Sequence, residues 1–164
     1  MTRPVVNLDE LAFDDVEENG RYTSRRAFIG TRIGARDLGY NLTVVPPGKA
    51  QCPFHSHFGE EEMFFILEGE GELRFGEARY PLRANDVVAC PTGGAEVAHQ
   101  IVNTGVVELR YLAVSTLRPL DACVYPDSGK LLVVSGTDGP DLHHMSRIAD
   151  AVDYYDGEEG CADA

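Results

Sequence analysis

Positive charge is scarce in this chain: 14 Lys and Arg stand against 27 Asp and Glu over 164 residues, a formal net charge of -13. A surface of that sign repels a phosphate backbone instead of displacing its counterions, so nucleic acid is excluded as the expected partner. Long hydrophobic runs are absent too. No window reaches the roughly 18 apolar residues of a membrane helix, and the opening "MTRPVVNLDELAFDD" has no basic stretch ahead of an apolar one. The expectation is a cytoplasmic protein with no membrane partner. Cysteine is sparse: Cys52, Cys90, Cys123 and Cys161 lie 38, 33 and 38 residues apart without a CxxC pair. Neither a zinc knuckle nor a redox dithiol is encoded, and the thiols read as reduced. Cys52 stands out only because it lies three residues before His55.

Helical patterning is also thin. What fills the chain instead is a series of short apolar or alternating runs, such as "GYNLTVV", "EMFFILEG", "GELRF", "DVVAC", "VELRYLAVST" and "KLLVV". They are separated by Gly, Pro, Asn and Asp at "PPG", "FGEA", "AND", "PTGG" and "NTG". That spacing predicts an all-β sandwich or barrel. Two segments have helical character: "NLDELAF", which Asn7 or Asp9 would cap, and "DLHHMSRIADAVDYY", where Leu142, Met145, Ile148, Ala149 and Val152 follow a 3.6-residue stripe. Residues 1–164 read as one domain. It carries an N-terminal arm over 1–30 and a C-terminal arm over 119–164 that ends in an acidic, frayed tail. Both arms are expected to be short, helical or irregular, and to pack outside the sheets.

One stretch carries chemistry: "HSHFGEEEMFFILEGEG", residues 55–71. In a strand, His55 and His57 point to the same side, as two imidazoles sharing an ion must. "FGEE" offers a turn, and "EMFFILEG" has the length of a returning strand whose first residue would sit beside the histidines. On this pattern alone a metal site and a pair of surface histidines both remain open. A second segment, "NDVVACPTGGAEVAHQIVN", adds His99 and, four residues on, Asn103.

Together these segments resemble the two motifs of the cupin superfamily, a resemblance that covers about residues 40–115 and implies that the barrel core lies there. The first appears as Gly48, six residues where the family has five, His55-x-His57, four residues, Glu62, six residues and Gly69. In the second, Pro91-x-Gly93 is followed by five residues in place of two before His99, then three residues and Asn103, and Asn85 stands where a leading glycine is expected. The resemblance implies a double-stranded β-helix, or jelly-roll barrel, and a three-His, one-Glu metal site at His55, His57, Glu62 and His99. Counting in both directions selects Glu62, since Glu61 leaves seven residues before Gly69 and Glu60 allows too short a turn. Glu60 and Glu61 then read as turn charges.

Such a ligand set suits one divalent transition metal, Fe, Mn, Ni, Co or Zn, with open positions for a ligand. Parity places Phe64, Ile66 and Ile101 on the pocket wall. Lys49, Gln51 and Tyr111 are candidate polar contacts, with Glu62 and Tyr111 the candidate catalytic groups. The resemblance implies a small-molecule metalloenzyme, with isomerisation or epimerisation of a phosphorylated sugar ahead of dioxygenation, or alternatively a module that binds or senses a small ligand without turnover. It also implies a homodimer, for which the two-faced apolar run "MFFILEG" offers a surface. "VYPDSGK" lacks phosphate-loop spacing and reads as a turn, and His143 and His144 read as surface residues.

Overall fold

Short strands follow one another from Asp15 to Arg147, as the punctuation of the sequence predicts. The structure, a computed structural model, describes residues 3–136, 141–158 and 160. The strands are β1 (Asp15–Asn19), β2 (Tyr22–Phe28), β3 (Leu38–Val45), β4 (Ser56–His57), β5 (Glu62–Glu68), β6 (Glu70–Phe75) and β7 (Ala78–Arg83). They continue as β8 (Val87–Cys90), β9 (His99–Val102), β10 (Leu109–Thr116), β11 (Leu120–Tyr125), β12 (Lys130–Ser135) and β13 (Leu142–Arg147). Among the described residues, the only α-helix is the single turn α1 (Gly30–Ile33). Among the described residues no helix is long and apolar enough to cross a membrane.

Six strands form one sheet in the order β1-β2-β3-β10-β5-β8. The facing layer holds β7-β6-β9 and β4-β11-β12-β13, and the antiparallel bridge His55↔His99 joins them. The inner face of β5 carries Phe64 and Ile66, which pack with Val45, Leu73, Val88, Leu109 and Tyr111 in the main core. Burying a side chain of this size contributes roughly 1.5–3 kcal/mol. The opposite face of the six-stranded sheet packs a second cluster around Ala27, Ile29 and Leu42, which Leu8, Leu11 and Phe13 of the N-terminal arm cover together with Leu67. The chain itself therefore covers part of the apolar face that had suggested a dimer.

The arms differ from expectation. Residues 15–28 are two strands that extend the six-stranded sheet, and residues 120–147 contribute three strands to the other layer. "NLDELAF" forms a 3-10 turn, Leu8–Glu10, capped by the Asn7 side chain, which accepts from the Asp9 N–H. "DLHHMSRIADAVDYY" is not a helix: its first part is β13, paired along its length with β12, and Ile148–Asp150 is one 3-10 turn. Leu142, Met145, Ile148 and Val152 are exposed, so the helical stripe has no surface to bury against. The open edge of β12 offers backbone partners that a short isolated helix lacks.

Two motif positions follow from backbone conformation. Gly69 has φ +87, and a Cβ there would meet the Glu108 carbonyl oxygen at 2.5 Å. Asn85, at the position where the family has glycine, takes φ 75, a left-handed conformation that Asn tolerates better than most residues. The missing glycine is thereby explained. Asn103 is fully buried, donates from Nδ2 to the carbonyls of Val45 and Val107 at 2.8 Å each, and accepts from the Gly105 N–H. It pins the loop behind β9.

Candidate metal centre

His55 and His57 do face the same way, but β4 and β5 are not a hairpin. β4 pairs with β11 in one layer, while β5 pairs with β10 and β8 in the other. "FGEE" carries the chain between layers, so Glu62 meets the histidines across the sandwich and not alongside them. His99 joins His55 through reciprocal backbone hydrogen bonds of 3.1 and 2.7 Å. All four side chains thereby reach one point: Glu62 Oε2 lies 2.8 Å from His99 Nε2, 3.5 Å from His57 Nε2 and 3.9 Å from His55 Nε2. Glu61 is exposed. Glu60 is half-buried and accepts from the Arg118 N–H at 3.1 Å, so it is not a freely solvated turn charge.

The far nitrogen of each imidazole has its own acceptor. His55 Nδ1 meets the Pro53 carbonyl at 2.9 Å, His99 Nδ1 the Val97 carbonyl at 3.4 Å, and His57 Nδ1 the Asp121 carboxylate at 2.6 Å. Each acceptor favours a proton on Nδ1, which turns an Nε2 lone pair toward the common point. His99 Nε2 and Glu62 Oε2 stand 2.8 Å apart, and a cation between them would satisfy the lone pairs of both. Three imidazoles and one carboxylate so arranged fit a divalent ion. His55, Glu62 and His99 offer donor atoms within 4.8 Å of one another.

Burial, with the neighbouring His99, pushes His55 down to about 4, so it stays neutral. Burial acts to lower His57 as well, but the Asp121 hydrogen bond and the Glu62 charge outweigh it and the net direction is up. For Glu62, burial acts upward and the His99 hydrogen bond and the other imidazoles act more strongly downward, so it remains a carboxylate. Asp121 is drawn down to about 2, the His57 and Gly59 hydrogen bonds overcoming its burial.

These shifts set a pH dependence for the metal-free protein. Below the ordinary 6.5 the unfolded chain protonates His55 while the folded one resists until about 4, so stability falls with pH across that window by up to about 3 kcal/mol. The stabilisation from His57 has the opposite sign: it is present below 6.5 and is lost as pH rises through its raised folded value. Denaturant midpoints measured in chelator from pH 4 to 8 should peak near pH 6.5, and a flat profile would contradict this assignment.

The four groups line a cavity of about 220 Å3. Of the residues expected on its wall, Gln51, Phe64, Ile101 and Tyr111 are there. Ile66 is fully buried in the core and does not reach it. Lys49 does not reach it either: the residue follows the "PPG" turn, and its ammonium donates to the Gly20 carbonyl at 2.7 Å. Strand parity cannot apply to a residue outside a strand. Cys52 lines the cavity, 3.7 Å from His55 Nδ1, as a thiol that burial raises to about 12. Cys161 lies outside the described residues.

The sequence reading missed two charged residues. Asp121 is buried, accepts from the Gly59 N–H at 2.8 Å and the Cys123 thiol at 3.2 Å, and holds His57. An acid inside the apolar alternation of "PLDACVY" was its signal. Arg26 lines the cavity from β2, and nothing in "YTSRRAF" distinguishes it from Arg25 until the register is known.

The family model "Cupin domain" matches residues 41–115. An oxalate-binding protein of Thermotoga maritima is 41% identical over 73 residues, covering 44% of this chain and 57% of its own length. Auxin-binding protein 1 of Arabidopsis thaliana is 28% identical over 135 residues, covering 76% of this chain and 65% of its own. The chain thus spans less than two thirds of either relative. A crystal structure described as a sugar phosphate isomerase of the cupin superfamily, from Silicibacter pomeroyi, superposes with a TM-score of 0.76 at 21% identity, covering 93% of this chain and 98% of that one. Motif, layered strand order and family match agree: residues 41–115 of this chain are a cupin domain, built as a double-stranded β-helix.

Proposed function

We propose that the protein is a divalent-metal-dependent enzyme acting on a small oxygen-rich molecule, with isomerisation or epimerisation of a phosphorylated sugar as the leading reaction class and dioxygenation next. The observation that carries this reading is the convergence of His55, His57, Glu62 and His99 on one wall of a cavity of about 220 Å3. These four residues would hold the ion. When bound there, it supplies Lewis acidity toward a carbonyl or hydroxyl oxygen of the ligand.

The chain's own groups do the rest. Phe64 and Ile101 present apolar surface that excludes water beside the donors. Tyr111, buried and edge-on to Phe64 with ring centroids 5.8 Å apart, is raised well above the ordinary tyrosine range by burial. It therefore keeps its proton and faces the cavity as a donor. Glu62, held as a carboxylate, is the complementary acceptor. A donor and an acceptor on one cavity suit proton transfer between adjacent carbons.

A second reading, capture of a small ligand without turnover, is favoured by one observation: the relative at 41% identity is an oxalate-binding protein. Protein reconstituted separately with Mn, Fe, Co, Ni and Zn should be assayed against phosphorylated aldoses and ketoses, with and without oxygen. Turnover that needs metal and not oxygen supports the isomerase class. Oxygen consumption supports dioxygenation, and tight ligand binding with no turnover supports the second reading. Failure of the wild-type protein to take up any of these ions would overturn the metal assignment.

A further inference from the structure

We infer that Arg26 anchors an anionic end group of the ligand, so that this cavity takes a short organic acid or its phosphate counterpart, lying between a guanidinium and the His/Glu cluster. The inference rests on the metal reading above for one end of the ligand and on separate observations for the other.

Cross-strand register puts Arg26 opposite Thr43, and Thr43 opposite Tyr111. The three residues form one row across β2, β3 and β10 on the sheet's inner face, and all three line the cavity. Arg26 is the only lysine or arginine among the described residues that does so. Its side chain is 27% exposed and its ring neighbour is Phe28, 5.6 Å from the guanidinium carbon. A guanidinium cannot shed its charge, so this places a permanent cation on the cavity wall of a molecule of net charge -13.

Asp15, the register partner of Arg26 on β1, pairs with one guanidinium nitrogen. Asp15 does not line the cavity. A cross-strand ion pair needs neither partner to reach an interior space, yet Arg26 does, with donors that Asp15 leaves unused. Those donors form the planar fork that carboxylate and phosphate oxygens accept. Neutral donors lie beside it. The Thr43 hydroxyl donates to Asn41 Oδ1 at 2.6 Å, which turns the Asn41 amide nitrogen away from that contact, and Gln51 lines the same cavity.

Size sets the second limit. At about 220 Å3 the space is smaller than the roughly 300–1,000 Å3 of drug-sized sites, so the part of the ligand held between Arg26 and the cluster is a few carbons. Arg26 also lies outside residues 41–115, so the anchor comes from the N-terminal arm and not from the family motifs.

The test is calorimetric titration of oxalate and of inorganic phosphate into cobalt-loaded and metal-free protein, for the wild type, Arg26→Gln, Arg26→Lys and Asp15→Asn. In wild type one anion should bind, and the tighter of the two identifies carboxylate or phosphate as the end group. Arg26→Gln should weaken that anion about 30-fold or more while cobalt affinity stays within about twofold of wild type. Arg26→Lys, which keeps the charge and loses the fork, should recover part of the loss, and Asp15→Asn should bind at least as well as wild type. No binding of either anion to the wild-type protein, loaded or metal-free, overturns the inference, as does equal affinity in Arg26→Gln. Cobalt failing to bind the wild type while the anion still depends on Arg26 in the metal-free titration would overturn the metal reading and uphold this one.

Discussion

Replacing His99 with alanine is expected to cost the protein its metal, lowering affinity by more than about 100-fold, since loss of an orienting partner alone costs 10–100-fold. His99 is 3% exposed and is the imidazole nearest the carboxylate, 2.8 Å from Glu62 Oε2, with its ring centroid 4.8 Å from that of His55 and 5.7 Å from that of Phe64. Its removal deletes a donor and also frees the carboxylate that it orients. Glu62→Gln should have a comparable effect on metal with a smaller one on packing, because the amide keeps the shape and loses the charge. Metal content after dialysis, read beside thermal melts that report folding, checks both variants. Stoichiometric metal retained by folded His99→Ala and Glu62→Gln would remove these residues from the ligand set.

Asp121→Asn should weaken metal binding about 10–100-fold although the residue never faces the cavity. Asp121 accepts from three donors, His57 Nδ1, the Gly59 N–H and the Cys123 thiol, and so determines which nitrogen of His57 remains free for an ion. An asparagine can turn its amide toward His57 and lose that preference. Asp121→Ala should in addition destabilise the fold, because the three donors lose their acceptor, at roughly 1–3 kcal/mol for each one that water does not reach. Asp121→Glu restores the charge and should recover part of the affinity if its longer side chain reaches Nδ1. The visible absorption of the cobalt-loaded protein separates a shifted His57 from general loosening: an altered spectrum at full occupancy reports the ligand field, whereas an unchanged spectrum with unchanged affinity would rule out this role for Asp121.

The four converging side chains were legible in the sequence because each belongs to a short segment with its own local logic. His55 and His57 share strand parity, the counts on either side select Glu62 over its neighbours, and His99 follows a recognisable loop. The side-chain alternation of β5 was legible for the same reason. A period of two puts Glu62, Phe64 and Ile66 on one side regardless of which strand lies beside them.

What failed needed information from elsewhere in the chain. The hairpin drawn through "HSHFGEEEMFFILEG" was wrong about pairing and right about convergence, because a chain crossing between layers and a chain folding back both bring Glu62 to the histidines. Lys49 was placed by extending strand parity through a turn, where no pleat carries it. The helical stripe from Leu142 to Val152 was real as a pattern, but a pattern specifies a helix only if some surface receives it, and β12 offered an edge instead.

By itself, then, the sequence determined an all-β chain with a cupin domain, the backbone turns at Gly69 and Asn85, and which four side chains, His55, His57, Glu62 and His99, converge, all consequences of local spacing and conformational preference. Only the tertiary structure decided that Asp121 stands behind His57, that Arg26 enters the cavity while Lys49 does not, and that both arms are strands. Those outcomes depend on register between distant segments, as between His57 and Asp121, 64 residues apart, and a one-residue shift in register moves every side chain of a strand to its other face.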